Sequence, residues 1–240
     1  MRETKISSGS YDLNKFLYGG YETDIITTIY GPAGSGKTNF CILASVSQAK
    51  KGNKVIFIDT EGGFSIDRFK QIAYKENYEE ILKNTILLKP TSFEEQKKSF
   101  EALLKEVNKN SNIGLIIVDG MTMLYRLEVS SKKNKINYIN KELANQLRTL
   151  AEISRKKNIP VLVTNQIYYS FLSDEDFKQG KEKSANMVAG DILRYWSKCL
   201  LELKNENGKR TVFLRKHRSL SEKELNFTIV KEGIRKKGIF

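Results

Sequence analysis

The sequence predicts an α/β fold: a mostly parallel sheet between helices, extended by antiparallel strands at its C-terminal end. Three observations carry that prediction. After residue 24, short β-branched or apolar runs alternate with helical segments, the pattern of βαβ crossovers in a three-layer domain. One run, Gly114-Leu115-Ile116-Ile117-Val118-Asp119, is apolar without alternation, as expected of a strand buried on both faces. Beyond residue 200, apolar runs follow one another across short turns with no helix between them, which suits antiparallel neighbours.

Residues 25–30 are β-branched and short, hence a strand; a glycine-rich turn follows, then a helix over about 38–50. Residues 54–59 form a second strand, ending in the turn Glu61-Gly62-Gly63, and 85–88 a third, closed by Pro90. Ser92 is placed to cap the next helix, with Glu95 at the capping-box offset and Phe93, Phe100, Leu103, Leu104 and Val107 as its apolar positions. A long helix over about 138–157 leads through Pro160 into a strand at 161–165. In the tail, 200–204, 211–216 and 225–230 read as strands, with Asn205-Glu206-Asn207-Gly208 a hairpin-like turn. These elements describe one domain over 1–240: a short lead-in (1–23), a core (24–166), a loop without periodicity (167–190), read as mobile, and a basic antiparallel extension (191–240).

Mean hydropathy is −0.44, and no apolar run approaches the roughly 20 residues that span a bilayer. The start, Met1-Arg2-Glu3-Thr4-Lys5, has no apolar stretch behind it, so no secretory signal is visible. Cys41 and Cys199 lack metal-like spacing and read as reduced, buried thiols. A soluble cytoplasmic protein is expected, with no membrane partner. The net charge is +13, and residues 204–240 hold eleven Lys/Arg against four Glu, a net of +7. More than half of the excess therefore lies in a segment that does not read as an amphipathic helix, which points away from membranes and toward a polyanion.

Gly31-Pro32-Ala33-Gly34-Ser35-Gly36-Lys37-Thr38 fits the phosphate-loop pattern at every fixed position, between a predicted strand and helix. Glycines let the backbone curl so that N–H groups point at phosphate oxygens, and the following helix adds its positive end, with Asn39 in its first turn. Lys37 is expected at the β- and γ-phosphates of ATP and the Thr38 hydroxyl on Mg²⁺. Asp119 ends an apolar strand where a carboxylate holds Mg²⁺ through water. Glu61 follows the second strand at the ligand crevice, suited to activating a water or standing as a solvated turn residue, and Gln166, just past the last parallel strand, is within reach of either the terminal phosphate or that water.

Arg215-Lys216-His217-Arg218, with Lys209 and Arg210, forms a basic hairpin holding the chain's one histidine. It is read three ways: phosphate contacts with DNA or RNA, a cationic finger into a neighbouring subunit's ATP, or a solvated strand end. Lys132, Lys133 and Lys135 lie in a polar loop and offer a second nucleic-acid contact or plain surface.

In this order the motifs resemble the RecA superfamily, and within it the archaeal RadB proteins. The likeness runs through 30–41, Phe57-Ile58-Asp59-Thr60-Glu61-Gly62-Gly63-Phe64, 118–126, Thr164-Asn165-Gln166 and Lys216-His217-Arg218-Ser219, and covers about 8–233. The resemblance implies a RecA-like ATPase core, with Glu61 as catalytic carboxylate, Asp119 on the Walker B strand and Gln166 in the sensor segment. Gly120 stands where serine is expected. RadA and the eukaryotic recombinases carry a helix-hairpin-helix domain and a Phe-x-x-Ala polymerisation motif before the core, and neither is seen here. Their second DNA loop is glycine-rich, whereas 168–190 carries Asp174-Glu175-Asp176, which would repel a phosphate backbone. The resemblance therefore implies a weak ATPase in DNA repair and recombination that binds single-stranded or branched DNA and assists a RadA-like recombinase. Self-association is left open. The alternatives are a DNA-stimulated recombinase or motor, and a KaiC-like regulatory ATPase acting on proteins.

Overall fold

The computed structural model describes residues 4–74, 76–169 and 185–238. Its strands are β1 (Lys5–Ile6), β2 (Tyr21–Glu22), β3 (Ile26–Gly31), β4 (Lys54–Asp59), β5 (Thr85–Leu88) and β6 (Ile113–Asp119). Six more follow: β7 (Val161–Tyr169), β8 (Ala185–Met187), β9 (Ser197–Glu206), β10 (Lys209–Lys216), β11 (Lys223–Val230) and β12 (Gly233–Lys236). The helices are α1 (Tyr11–Phe16), α2 (Lys37–Lys50), α3 (Ile66–Ala73), α4 (Tyr78–Leu82), α5 (Phe93–Lys109), α6 (Met123–Ser131), α7 (Ile136–Lys157) and α8 (Gly190–Trp196).

The main sheet runs β12-β11-β10-β9-β3-β7-β6-β4-β5, with β8 paired to β7, and β1 and β2 form a separate ribbon. The neighbours from β9 through β5 pair in parallel, while β9 to β12 pair antiparallel. The expected α/β architecture of mostly parallel sheet plus antiparallel tail is therefore the fold. One detail differs: the first tail strand, β9, lies parallel to β3 and only turns antiparallel toward β10. The hairpin between β9 and β10 pairs Glu206 with Lys209, and its two loop residues, Asn207 and Gly208, both have positive φ. That is the twist-matched turn an Asn-Gly pair favours.

Alternate residues of each parallel strand feed opposite faces, which is why these strands read as unbroken apolar runs. Leu115 and Ile117 of β6 join Phe40, Phe57, Phe69 and Phe227 beneath α2, α3 and the tail. Ile116 and Val118 join Phe100, Leu103, Leu143, Leu147 and Leu150 beneath α5 and α7. Ser92 caps α5 by accepting the Glu95 N–H, Glu95 in turn accepts the Thr91 N–H and hydroxyl at 2.7 and 2.8 Å, and Leu104 faces solvent at 41% exposure. The lead-in is structured: β1, α1 and β2 occupy it, and Ser10 caps α1 while donating to Ile234 O.

Two further expectations shift. Lys132 and Lys133 sit at the end of α6 and in a 3₁₀ turn rather than in a loop, because 123–131 closes into a helix. Of the segment 167–190, the two ends pair as β7 and β8 (Ile167 with Met187), whereas its middle, including Asp174-Glu175-Asp176, lies outside the described residues. No described helix is long and apolar enough to cross a membrane.

Candidate nucleotide site

The parallel register lines up the strand ends that carry the chemistry. Asp59 of β4 stands opposite Asp119 of β6, and Gly31 of β3 opposite Gln166 of β7. The phosphate loop turns from β3 into α2 at Gly36, whose φ of +108° suits glycine and whose helix start has no side-chain cap. The first N–H groups of α2 are left for a ligand. Lys37 is buried, and its Nζ donates to Gly31 O at 3.1 Å and Pro32 O at 2.9 Å. Burial pulls its pKa below the usual lysine value, while Glu61 and Asp119 push it back up.

The Asp119 carboxylate is held by two hydroxyls. The Thr38 hydroxyl donates to Oδ2 at 2.7 Å, the Thr164 hydroxyl to Oδ1 at 2.6 Å, and Thr164 itself accepts the Gly120 N–H at 2.7 Å. Burial still outweighs those bonds and pushes the Asp119 carboxyl up to about 6. Glu61 rides on a turn built by Asp59, whose carboxylate accepts the N–H groups of Gly63 and Phe64 at 3.1 and 3.0 Å. The Oε2 of Glu61 accepts the Gln166 amide at 3.0 Å, and its Oε1 is buried without a partner among the described residues.

A cavity of about 320 Å³ opens over these groups, lined by Ala33, Gly34, Gly36, Lys37, Thr38, Asn39, Glu61, Gln166, Arg210 and Ile229. The donor set fits a magnesium nucleoside triphosphate: loop amides and Lys37 for phosphate, Thr38 and Asp119 as hard oxygen ligands for Mg²⁺. Space fits as well, since a Cβ on Gly63 would lie 3.1 Å from Thr38 Oγ1 and 3.6 Å from Asp119 Oδ2. The unpartnered Glu61 Oε1 supplies the acceptor that a positioned water needs. Gly120, where serine is expected, has φ +87°, and a Cβ there would meet Thr60 Oγ1 at 2.4 Å and Glu61 Cγ at 2.6 Å. The glycine follows from the packing of the Glu61 turn against β6.

Beyond the Glu61–Gln166 pair a second cavity, about 230 Å³, is lined by Glu61, Thr122, Met123, Arg126, Leu127, Gln166 and Val188. The pair therefore separates the phosphate side from the surface formed by α6 and the β7–β8 ribbon. Asn165 ties that surface down, accepting from Thr122 and donating to Val188 O at 2.8 Å.

The basic hairpin is not one surface. Arg215 donates to Glu202 at 2.6 Å, and Lys216 donates to Arg194 O and Ser197 O at 2.8 and 2.9 Å. Arg218 makes two bonds to Asp24 at 2.6 and 2.9 Å and lies 2.8 Å from buried Glu22. The His217 ring is 2% exposed, accepts the Ser219 N–H at 3.1 Å, and has its pKa lowered by burial. These heads are committed to intramolecular partners that alignment with a basic motif cannot reveal. Lys209, Lys132 and Lys133 are exposed, with Lys132 paired to Glu128 at 2.7 Å. Arg210 alone points to the phosphate cavity. Arg68, which sequence reasoning did not single out, joins Asn39 in the phosphate helix to the tail: it donates to Asn39 Oδ1 at 2.7 Å, Val230 O at 2.9 Å and Lys231 O at 3.0 Å.

Residues 2–237 match the family model described as Rad51. The chain is 43% identical over 222 residues to the "DNA repair and recombination protein RadB" of Methanocaldococcus jannaschii, covering 92% of this chain and 98% of the relative. It is 40% identical over 235 residues to the protein of the same name from Methanococcoides burtonii, covering 96% and 97%. A solved structure described as "Crystal structure of the RadB recombinase" superposes with a TM-score of 0.76 at 34% identity, over 95% of this chain and 98% of that one.

Proposed function

The chain belongs to the Rad51 family, as a RadB-type member of the RecA superfamily, and from that footing we propose that it is a Mg·ATP-binding, DNA-binding accessory protein of DNA repair and recombination. In this reading it hydrolyses ATP slowly and assists a RadA-like recombinase instead of exchanging strands itself. The carrying observation is the Glu61–Gln166 hydrogen bond at 3.0 Å. It occupies one oxygen of the would-be general base and joins it to the strand that runs on into the β7–β8 ribbon. A nucleotide that draws on Glu61 and Gln166 would shift that ribbon's equilibrium, so ATP acts chiefly as a conformational ligand.

Lys37 and the loop amides hold the phosphates, Thr38 and Asp119 the metal, and Glu61 orients the attacking water. Mg²⁺, when bound, neutralises charge on the terminal phosphates. DNA contact falls mainly to Lys209, Lys132 and Lys133, with the net charge of +13 steering approach. The test is DNA affinity as a function of salt, for wild type and for Lys132→Ala/Lys133→Ala/Lys209→Ala. Wild type should lose affinity steeply as salt rises, and the variant should bind more weakly with a flatter slope. Weak, salt-insensitive binding by wild type would instead favour a regulatory ATPase that acts on proteins.

A further inference from the structure

Arg210 is the second residue of β10, and its place is set by two cross-strand partners that both touch the phosphate loop. On one side it pairs with Asn205, whose amide donates to Gly34 O at 3.4 Å. On the other it pairs with Phe227, whose ring packs edge-on against Phe40 of α2 at 5.4 Å. Phe227 and its face-mate Ile229 also stand closest to where a Cβ of Gly36 would lie. The tail hairpin is thus seated on the turn from β3 into α2, and the Arg210 side chain enters the cavity that Gly34, Gly36, Lys37, Thr38, Glu61 and Gln166 line.

There its Nε is buried and finds no acceptor among the described residues. A buried guanidinium N–H without an acceptor is rare and marks a group awaiting a partner. Among the described residues the one carboxylate lining the same cavity, Glu61, keeps Oε2 on Gln166 and leaves Oε1 unpartnered. The neighbouring groups at the loop are Lys37 and amide N–H donors, so the acceptor that completes this site is an anion with several oxygens. A polyphosphate has that chemistry, and an arginine fork matches phosphate geometry.

We propose that Arg210 binds the terminal phosphate of the nucleotide in its own subunit, as a second cation beside Lys37. The C-terminal extension thereby reads which nucleotide is bound. This rests on the nucleotide reading of the site and differs from both a DNA contact and a finger into a neighbouring subunit. It also gives the tail a reason to be seated on the phosphate loop: loss of the terminal phosphate would release Arg210 and loosen β10 from α2.

The experiment is equilibrium binding of Mg·ATP and Mg·ADP, with a non-hydrolysable ATP analogue as a check, to wild type, Arg210→Ala, Arg210→Lys and Lys37→Ala. Arg210→Ala should weaken ATP about 10- to 100-fold, the scale of one charge-assisted pair, while ADP changes less than about threefold. Arg210→Lys should recover part of the loss. Equal mixtures of Arg210→Ala and Lys37→Ala should bind no more ATP than the sum of the two alone. Recovery in the mixture would mean that the arginine acts between subunits, overturning the proposal. So would Arg210→Ala with unchanged ATP affinity, or with ATP and ADP weakened alike. If wild type itself fails to bind Mg·ATP, it is the reading of the site that falls. Thermal melts of each variant separate misfolding from lost contact, and Arg210→Gln replaces any variant that does not fold.

Discussion

Replacing Arg218 by Ala tests whether the basic tail motif is a strut or a DNA contact. Arg218 holds two carboxylates of unlike environment. Asp24 is 41% exposed, so that arm contributes about 0–1 kcal/mol. Glu22 is 8% exposed at its side chain, with the Arg218 Nε 2.8 Å away, and its loss of a partner strands a buried carboxylate. Breaking a fully buried pair costs about 3–5 kcal/mol, but Arg218 is itself 43% exposed and water screens part of that. The expected loss is about 2–3 kcal/mol, which for a chain of this size lowers Tm by roughly 5–10 °C. Urea denaturation gives the value directly. A cycle with Glu22→Gln should return a coupling of about 1–2 kcal/mol, because the double variant no longer buries an unpaired charge.

The pH dependence follows from Asp24, whose carboxyl the Arg218 hydrogen bond holds below its ordinary 3.8. A depressed folded value means that this stability is present above the ordinary value and disappears as pH falls through the lowered one. The gap between wild type and Arg218→Ala should therefore narrow in that acid window. A variant within about 0.5 kcal/mol of wild type, with DNA binding lost, would refute the strut and return the motif to the DNA surface.

Gly120→Ser places a side chain where Thr60 and Glu61 already stand and on a backbone at φ +87°. It should cost about 1–3 kcal/mol and slow ATP turnover more than it weakens ATP binding, measured by denaturation and by kcat beside Kd; unchanged kcat would mean that the Glu61 turn has slack. Phe227→Ala removes a ring that is 1% exposed and packed on Phe40. It should cost about 3–5 kcal/mol, and Mg·ATP should raise the melting temperature of the variant less than that of wild type, since Phe227 backs the phosphate loop.

How much of this was legible varies with the kind of signal. The strands at 54–59 and 85–88 lie where the sequence puts them, because β-branched runs bounded by turn residues have few other uses. The phosphate loop, Asp119 and Glu61 were legible because strand ends and glycine spacing constrain them jointly. The ribbon β1–β2, with two residues per strand, carries no period to detect. Arg68 and Arg210 were hidden for a different reason. A cation's residue type does not say whether its partner is a backbone carbonyl, a carboxylate or a ligand, and only the seating of the tail on α2 decides that. For the same reason Arg215, Lys216 and Arg218 read as a surface although their heads point to Glu202, Ser197 and Asp24.

The most direct measurement is steady-state ATP turnover with Mg²⁺, in the absence and presence of saturating single-stranded DNA. With Glu61 bonded to Gln166, turnover should be slow, on the order of a few per minute or less, and DNA should change it by less than about twofold. Turnover that rises about tenfold or more with DNA would contradict this, since DNA would then complete the active site and the protein would act as a motor or strand-exchange enzyme.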